Sequence, residues 1–303
     1  MNIFCIIVTY NGMQWGERCF SALRASTIPI TTVVVDNGST DGTPQYIQSR
    51  FPEVVLLPQT KNLGFGQGNN AGIRYALTHG ATHVLLLNQD AWIDADMVER
   101  LLPYDDGNTL LSPIHLTGEG DRYDANFERN AIRRSREYDR FAIEQQRGIT
   151  SKYYTDEINA ACWLLPRNIL EEVGGFNPLF FQYAEDNDYL QRLHFHGKET
   201  CFVSGTFCYH DRAHIPPKNP TKQLIYQQLV LRTLDINRSA LICTLRRWRY
   251  IIAVWHTALA ENRWADITFL YQARKAFYAH YKEILRNRQI LKTKGPLWID
   301  CNL

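Results

Sequence analysis

A chain of 303 residues, 45% apolar and 21% charged, can bury a full core and has a globular composition, which excludes a disordered chain or a small disulfide scaffold. The net charge of +2 hides an asymmetry: residues 232–303 carry 13 Lys/Arg against 5 Asp/Glu, and the residues before them 20 against 26. An acidic body with a basic end argues against nucleic-acid binding and suggests that the end faces another anionic partner.

The seven cysteines are scattered and form no C-x-x-C pair, so a reducing, cytoplasmic setting is expected rather than a disulfide framework or a zinc knuckle. The opening MNIFCIIVTY has no basic residue before its apolar run and no small-residue cleavage site after it. It reads as a first strand, not a signal peptide. No run of about 18 apolar residues occurs, so no spanning helix is expected.

In chain order, residues 3–9, 32–35, 54–57 and 84–87 are rich in Ile, Val and Leu, the composition of strands buried on both faces. Between them, residues 14–25, 43–50 and 66–78 are long enough for crossover helices. The alternation predicts a parallel, doubly wound α/β sheet, whose ligands bind beyond the carboxyl ends of the strands. A polar segment over 117–152 then reads as an excursion or mobile loop with local helix. Apolar structure returns at 158–165, a helix ends at Gly174–Gly175, an acidic helix start follows at Glu185–Asp188, and 200–209 reads as a strand. After Pro216–Pro217 the chain reads as helical to about Ile290.

Five constellations carry chemistry. VVVDNGSTDGT (33–43) puts Asp36 at a strand mouth, where it can accept hydrogen bonds from a nucleoside, while Asp41 suits a helix cap. KNLGFGQGNNAG (61–72) contains Gly66, Gly68 and Ala71 in the G-x-G-x-x-G/A spacing of dinucleotide sites. Its strand ends too far upstream for the required tight turn, however, and it follows the third strand rather than the first. VLLLNQD (84–90) delivers Asn88 and Asp90 at a strand end, oxygen donors suited to Mg²⁺ or Mn²⁺ bridging a diphosphate. FFQYAEDNDYLQRLHFHG (180–197) gathers Glu185, Asp186 and Asp188 at a helix start, placed either for proton abstraction or for solvated capping. His210 is either a third cation ligand or a structural histidine.

VTYNG, VVVDNGSTDGT, NLGFGQGNNAGI, LLLNQD and the 180–197 segment occur in the order found in family 2 glycosyltransferases, and the chain resembles them from about Asn2 to Ala213. The wording of NLGFGQGNNAGI and N-Q-D is similar to the rhamnosyltransferase branch, with galactofuranosyltransferases nearby. The resemblance implies a GT-A fold, a Rossmann-like mixed sheet flanked by helices with a C-terminal helical extension, and an inverting single displacement. It implies that Thr9 and Asp36 contact the nucleoside, with Asn62, Gly66 and Asn88 also on the donor side. It further implies that Asp90 and His210 hold Mg²⁺ or Mn²⁺. Asp186 matches the family's base, with Glu185, Asp188 and Arg192 on the acceptor side. Asn88 stands where the family's D-x-D motif usually has its first Asp, which removes a charge and weakens metal affinity.

The resulting expectation is a catalytic domain over 1–215, divided at 112/113 into nucleotide-sugar and acceptor halves, and a helical region over 216–303. In that region Leu245, Trp248, Ile252, Trp255 and Leu259 recur at three- and four-residue steps, flanked by Arg246, Arg247 and Arg249. Such a face suits either an anionic membrane surface, placing the protein at the inner face of the cell membrane, or packing on the domain or a second copy in a homo-oligomer. The expected partners are a dTDP- or UDP-sugar and a saccharide acceptor, lipid-linked if the tail binds membrane, as in surface polysaccharide (O-antigen) synthesis. The competing readings are an NAD-dependent oxidoreductase and a non-catalytic sugar-nucleotide-binding protein.

Overall fold

The first ninety residues fold as their alternation predicts: β1 (Ile3–Thr9), α1 (Met13–Arg24), β2 (Ile30–Asp36), α2 (Thr43–Arg50), β3 (Val55–Pro58), α3 (Phe65–Thr78) and β4 (His83–Leu87). The computed structural model describes residues 1–211 and 221–300. β1 pairs in parallel with both β2 and β4, and β2 with β3. Ile6, Ile7, Val33, Val34, Val84 and Leu85 are fully buried from both sides of the sheet, and each such side chain stabilises the fold by about 1.5–3 kcal/mol.

The next elements are β5 (Ala91–Ile93), α4 (Met97–Leu101) with a 3-10 turn at Leu102–Tyr104, β6 (Thr109–Thr117), α5 (Ala125–Phe127) with a π-helical turn at Glu128–Ile132, α6 (Tyr138–Gln146) and β7 (Lys152–Tyr154). After them come β8 (Cys162–Pro166), α7 (Arg167–Val173), α8 (Glu185–Phe195) and β9 (Glu199–His210). The sheet runs β3-β2-β1-β4-β8-β6-β9-β5, with β7 beside β9, and β8 antiparallel to β4 makes it a mixed sheet. The segment 117–152 carries the local helix expected of it, and it is anchored on the core. Phe127, Ala131, Ile132 and Phe141 are buried, and Phe141 meets Tyr153 and Phe202 edge-on at ring-centre distances of 5.1 and 5.3 Å. A few large apolar side chains suffice to anchor a segment whose remaining residues are polar.

Four helices follow, α9 (Lys222–Leu234), α10 (Ala240–Ala260), α11 (Trp264–Ala279) and α12 (Tyr281–Ile290). Pro216–Pro217, Ala213 and the expected boundary at 215/216 lie outside the described residues. The helices share a core of Ile225, Leu229, Ile251, Leu270, Phe277 and Ile284, which also takes in Phe180 and Ala184 from the loop before α8. α10 turns Cys243, Arg247, Ile251 and Ala258 inward and leaves Leu245, Trp248, Ile252 and Trp255 exposed. Among the described residues these four side chains therefore do not pack on the domain, while Leu259, at the end of the stripe, is half-buried. Arg247, expected to flank it, is instead buried over the Phe277 and Tyr281 rings.

Candidate active site

Parallel pairing sets Thr9 directly opposite Asp36 at the carboxyl ends of β1 and β2. Thr9 Oγ1 donates to Asp36 Oδ1 at 3.0 Å, as does Ser39 Oγ at 2.5 Å, while the N–H groups of Gly38 and Ser39 donate to Oδ2 at 3.2 and 3.0 Å. Asp36 is 2% exposed, and these four bonds occupy its acceptor capacity. Asp36 thereby shapes the loops at the mouths of β1 and β2, whose exposed residues are Tyr10, Asn11, Thr40 and Asp41. Asp41 accepts from the N–H of Thr43 at the start of α2, as its spacing predicts.

The loop into α3 is closed by the Gly64 N–H donating to Asn62 Oδ1 at 2.8 Å, and it is tied to β2 by Asn37 Nδ2 donating to the Gly64 carbonyl at 3.1 Å. Gly64 has φ +81°, and a Cβ there would lie 2.0 Å from the Phe181 carbonyl oxygen, so only glycine fits. The Phe65 N–H donates to that same carbonyl at 3.1 Å. A Cβ on Gly66 would come within 2.9 Å of Phe176 Cβ and 3.8 Å of Glu185 Cβ. Gly66, expected on the donor side, is therefore a packing residue. The start of α3 is covered by the chain leading into α8, so it offers no open helix end to a dinucleotide pyrophosphate.

At the mouth of β4, the Asn88 N–H donates to the Ala161 carbonyl at 3.0 Å, and Ala91 pairs with His210 across β5 and β9. His210 Nε2 lies 3.3 Å from Asp90 Oδ1 and 3.3 Å from the Asn88 amide nitrogen, and its Nδ1 lies 3.6 Å from Asp124 Oδ2. Asn88 Oδ1 is buried and has no hydrogen-bond partner among the described residues. Turning that amide would point its oxygen toward His210. Ligands about 2.1 Å from a shared octahedral ion sit about 3 Å apart, close to these spacings. Among the described residues no three His, Cys, Asp or Glu side chains close on one point. The groups at this mouth that would hold a divalent ion are Asp90, His210 and, with its amide turned, the Asn88 oxygen, a nitrogen and oxygen donor set suited to Mg²⁺ or Mn²⁺. Asp124, which also accepts from the N–H groups of Asn126 and Phe127, orients His210 from behind. Its only signal in the sequence is a capping Asp before A-N-F.

The acids of α8 separate into three environments. Tyr183 and Ala184, both at φ +72°, deliver the chain into the helix through two left-handed residues, a costly geometry held by the packing around it. Asp186 is half-buried and accepts from the Asn187 N–H at 2.8 Å. Glu185 is 6% exposed, and its Oε2 has no hydrogen-bond partner among the described residues. Burial first, then the neighbouring Asp186 and Asp188, push its carboxyl up to about 8. Asp188 and Arg192 form an ion pair at 2.9 Å in which each side chain is 1% exposed, and Arg192 also donates to the Val173 and Gly175 carbonyls, both at 2.7 Å. The acceptor-side roles expected of Asp188 and Arg192 are corrected accordingly: neither reaches solvent, and the pair is architectural. The start of α8 therefore packs on the start of α3, with Glu185 beside Gly66 and Phe181 on Gly64, and Asn37 ties that loop to the end of β2.

A parallel α/β half-sheet with polar strand mouths has the carboxyl edge at which open α/β sheets bind their ligands. The sequence pattern of Glycosyl transferase family 2 matches residues 4–174, more than half the chain, and the chain belongs to that family. It is a glycosyltransferase with the GT-A fold. It is 28% identical over 244 residues to the N-acetylglucosaminyl-diphospho-decaprenol L-rhamnosyltransferase of Mycobacterium tuberculosis, covering 72% of this chain and 79% of that protein. A dTDP-rhamnosyl transferase of Shigella flexneri, RfbF, is 28% identical over 137 residues, 44% of this chain and 45% of its own. Among solved structures, S. aureus TarS 1-349 in complex with UDP aligns at TM-score 0.57 and 15% identity, covering 80% of this chain and 68% of that one. The Pyrobaculum calidifontis mannosyltransferase PcManGT, in complex with GDP-Man and Mn²⁺, aligns at TM-score 0.54 and 17% identity, covering 93% and 75%. At such identities the structures speak for the fold alone.

Two consequences are measurable. Replacing Asp188 with Ala strands the Arg192 charge in the core and is expected to lower stability by about 3–5 kcal/mol in denaturant unfolding. A raised carboxyl stabilises the fold fully below its unfolded value near 4.5 and loses that contribution as pH rises through about 8. Glu185→Gln is therefore expected to unfold at a denaturant midpoint that gains on wild type between pH 4.5 and 8 and levels off above. A difference that is flat with pH would show that Glu185 ionises freely.

Proposed function

We propose that this protein transfers a deoxyhexose, rhamnose from a dTDP donor, with inversion onto a saccharide acceptor carried on a lipid, in the synthesis of a surface polysaccharide. The observation that carries the reading is the gathering of Asn88, Asp90 and His210 at one strand mouth, beside exposed Tyr10, whose N–H donates to Gln89 Oε1 at 2.9 Å. The names of the Mycobacterium and Shigella relatives support the sugar and the lipid-linked acceptor.

In this reading the nucleoside lies against the loops that Asp36 shapes, and its diphosphate extends toward Asp90, with Asn62 bordering the donor cleft. A divalent ion held by Asp90, His210 and the Asn88 oxygen would neutralise charge on the departing nucleoside diphosphate. Asp186 takes the proton of an acceptor hydroxyl, whose oxygen attacks the anomeric carbon as the bond to the diphosphate oxygen breaks on the opposite face. Glu185 is walled off and keeps its proton below about pH 8, so Asp186 is the carboxylate an acceptor can reach. Holding donor and acceptor in line lowers much of the remaining barrier.

The acceptor's lipid gives the exposed stripe a purpose. Leu241, Leu245, Trp248, Ile252 and Trp255 lie on α10, and Arg274 reaches over the Trp248 ring at 5.4 Å, joining them to exposed Tyr271 and Tyr278 on α11. With Arg246, Arg249 and Lys275 also exposed, this belt has the composition of a helix pair lying on an anionic leaflet. No helix among the described residues is long and apolar enough to cross a membrane.

Screening nucleoside-diphosphate sugars for hydrolysis with Mg²⁺ or Mn²⁺ tests the donor: dTDP-rhamnose is expected to be turned over fastest, and a preference for a UDP-hexose would replace it. Asp186→Asn is expected to cut turnover by about 10²–10⁴-fold while leaving donor affinity nearly intact, and near-normal turnover would move the base elsewhere. Liposomes containing anionic phospholipid are expected to retain the protein and to release it when Trp248 and Trp255 are both changed to Glu. Equal retention of the double variant would remove the membrane from the proposal.

A further inference from the structure

The residues after α12 return to the catalytic body. Lys294 Nζ meets Glu172 Oε2 at 2.5 Å, the Gly295 N–H donates to the Glu172 carbonyl at 2.9 Å, and the Gly175 N–H donates to the Leu297 carbonyl at 2.8 Å. Arg74 Nη2 donates to the Trp298 carbonyl at 3.2 Å. Ile299 is fully buried in the core that holds Ile73, Val173 and Phe176. A segment from the far end of the chain thus completes the core beneath α3, α7 and α8.

Within that segment Trp298 has the most specific position. Its ring lies 5.0 Å from the Arg192 guanidinium, and its own φ of +64° is one a tryptophan adopts only when its surroundings hold it there. Arg192 is the junction already described: Nε on Asp188, Nη1 on the Val173 carbonyl, Nη2 on the Gly175 carbonyl, with Tyr189 also against the guanidinium at 4.9 Å. The edge of the guanidinium is committed to three acceptors, and its face needs an aromatic cover to exclude water. Asp188, the residue it anchors, stands in the first turn of α8, two positions after Asp186.

We propose that the C-terminal segment 294–300 is a clamp, with Trp298 a positioning residue that fixes the first turn of α8 through Arg192 and Asp188, and so sets where the Asp186 carboxylate stands. The kinetic half of this proposal rests on Asp186 being the base; the structural half does not. Loss of the indole face lets water reach the guanidinium and loosens the ion pair, and a carboxylate displaced by a fraction of an ångström loses turnover while donor binding, made by the strand mouths, is left alone.

The test compares Trp298→Leu, which keeps bulk but removes the aromatic face, with Trp298→Phe, which keeps the face. Amide hydrogen exchange of peptides covering residues 184–195 is measured beside kcat and the donor KM for dTDP-rhamnose, or for whichever activated sugar wild type hydrolyses. Trp298→Leu is expected to exchange about tenfold faster in α8 with β1–β4 unchanged, and to lose about tenfold or more in kcat with KM within about twofold. Trp298→Phe is expected to stay near wild type in both readouts. Wild-type exchange and kcat in Trp298→Leu would overturn the clamp, as would equal loss in the Phe variant with kcat and KM moving together. If Trp298→Leu does not fold, the exposed variant Lys294→Gln decides: faster exchange confined to α8 supports the clamp, and unchanged exchange overturns it. If wild type turns over no activated sugar, the donor reading fails and the exchange arm still decides the clamp.

Discussion

Parallel pairing of β1 with β2 and β4 is the constraint from which the site follows. Strands running in one direction end at one edge, so Thr9 faces Asp36 and the chain leaving Leu87 delivers Asn88 and Asp90 beside them. Antiparallel β8 then brings its starting end, Cys162 opposite Leu87, to the same edge, and Ala161 receives the Asn88 N–H. The outer pairing of β5 with β9 does the same for His210. No single residue here is unusual; the shared edge makes them a site.

Above that edge, the start of α8 distributes charge by burial. Three acids within four residues occupy an enclosed pocket that pushes the carboxyl of Glu185 up, a half-buried position and a buried ion pair. Like charges this close cannot all be ionised in a dry setting, and the structure resolves the conflict by giving each a different partner or none. The two left-handed residues Tyr183 and Ala184 make the turn that permits this, and the Phe181 carbonyl resting on Gly64 and Phe65 holds the turn against the loop into α3.

The helical region does more than extend the chain. Its own core continues into Phe180 and Ala184, Ile299 enters the core beneath α3 and α7, and among the described residues one face of α10 remains apolar and exposed. A helix pair that is packed on one side and amphipathic on the other can hold an enzyme against a surface without perturbing the sheet.

The strands, the three crossover helices and the polar strand mouths were legible in the sequence because they are local: apolar runs, their lengths and the residue that follows each run. The family resemblance implied that Asp90 and His210 share an ion, with a structural histidine as the alternative, and the structure brings the two within 3.3 Å. What the tertiary structure alone decided is which polar groups are buried. Asp36, Gly66, Asp188 and Arg192 carry the residue types of a binding site, yet their neighbours enclose them. Asp124 lies in a segment that reads as excursion, and the Trp298–Arg192 contact joins parts of the chain that no periodicity connects. Burial belongs to the residues surrounding a side chain, and a linear pattern does not specify those until the chain has folded.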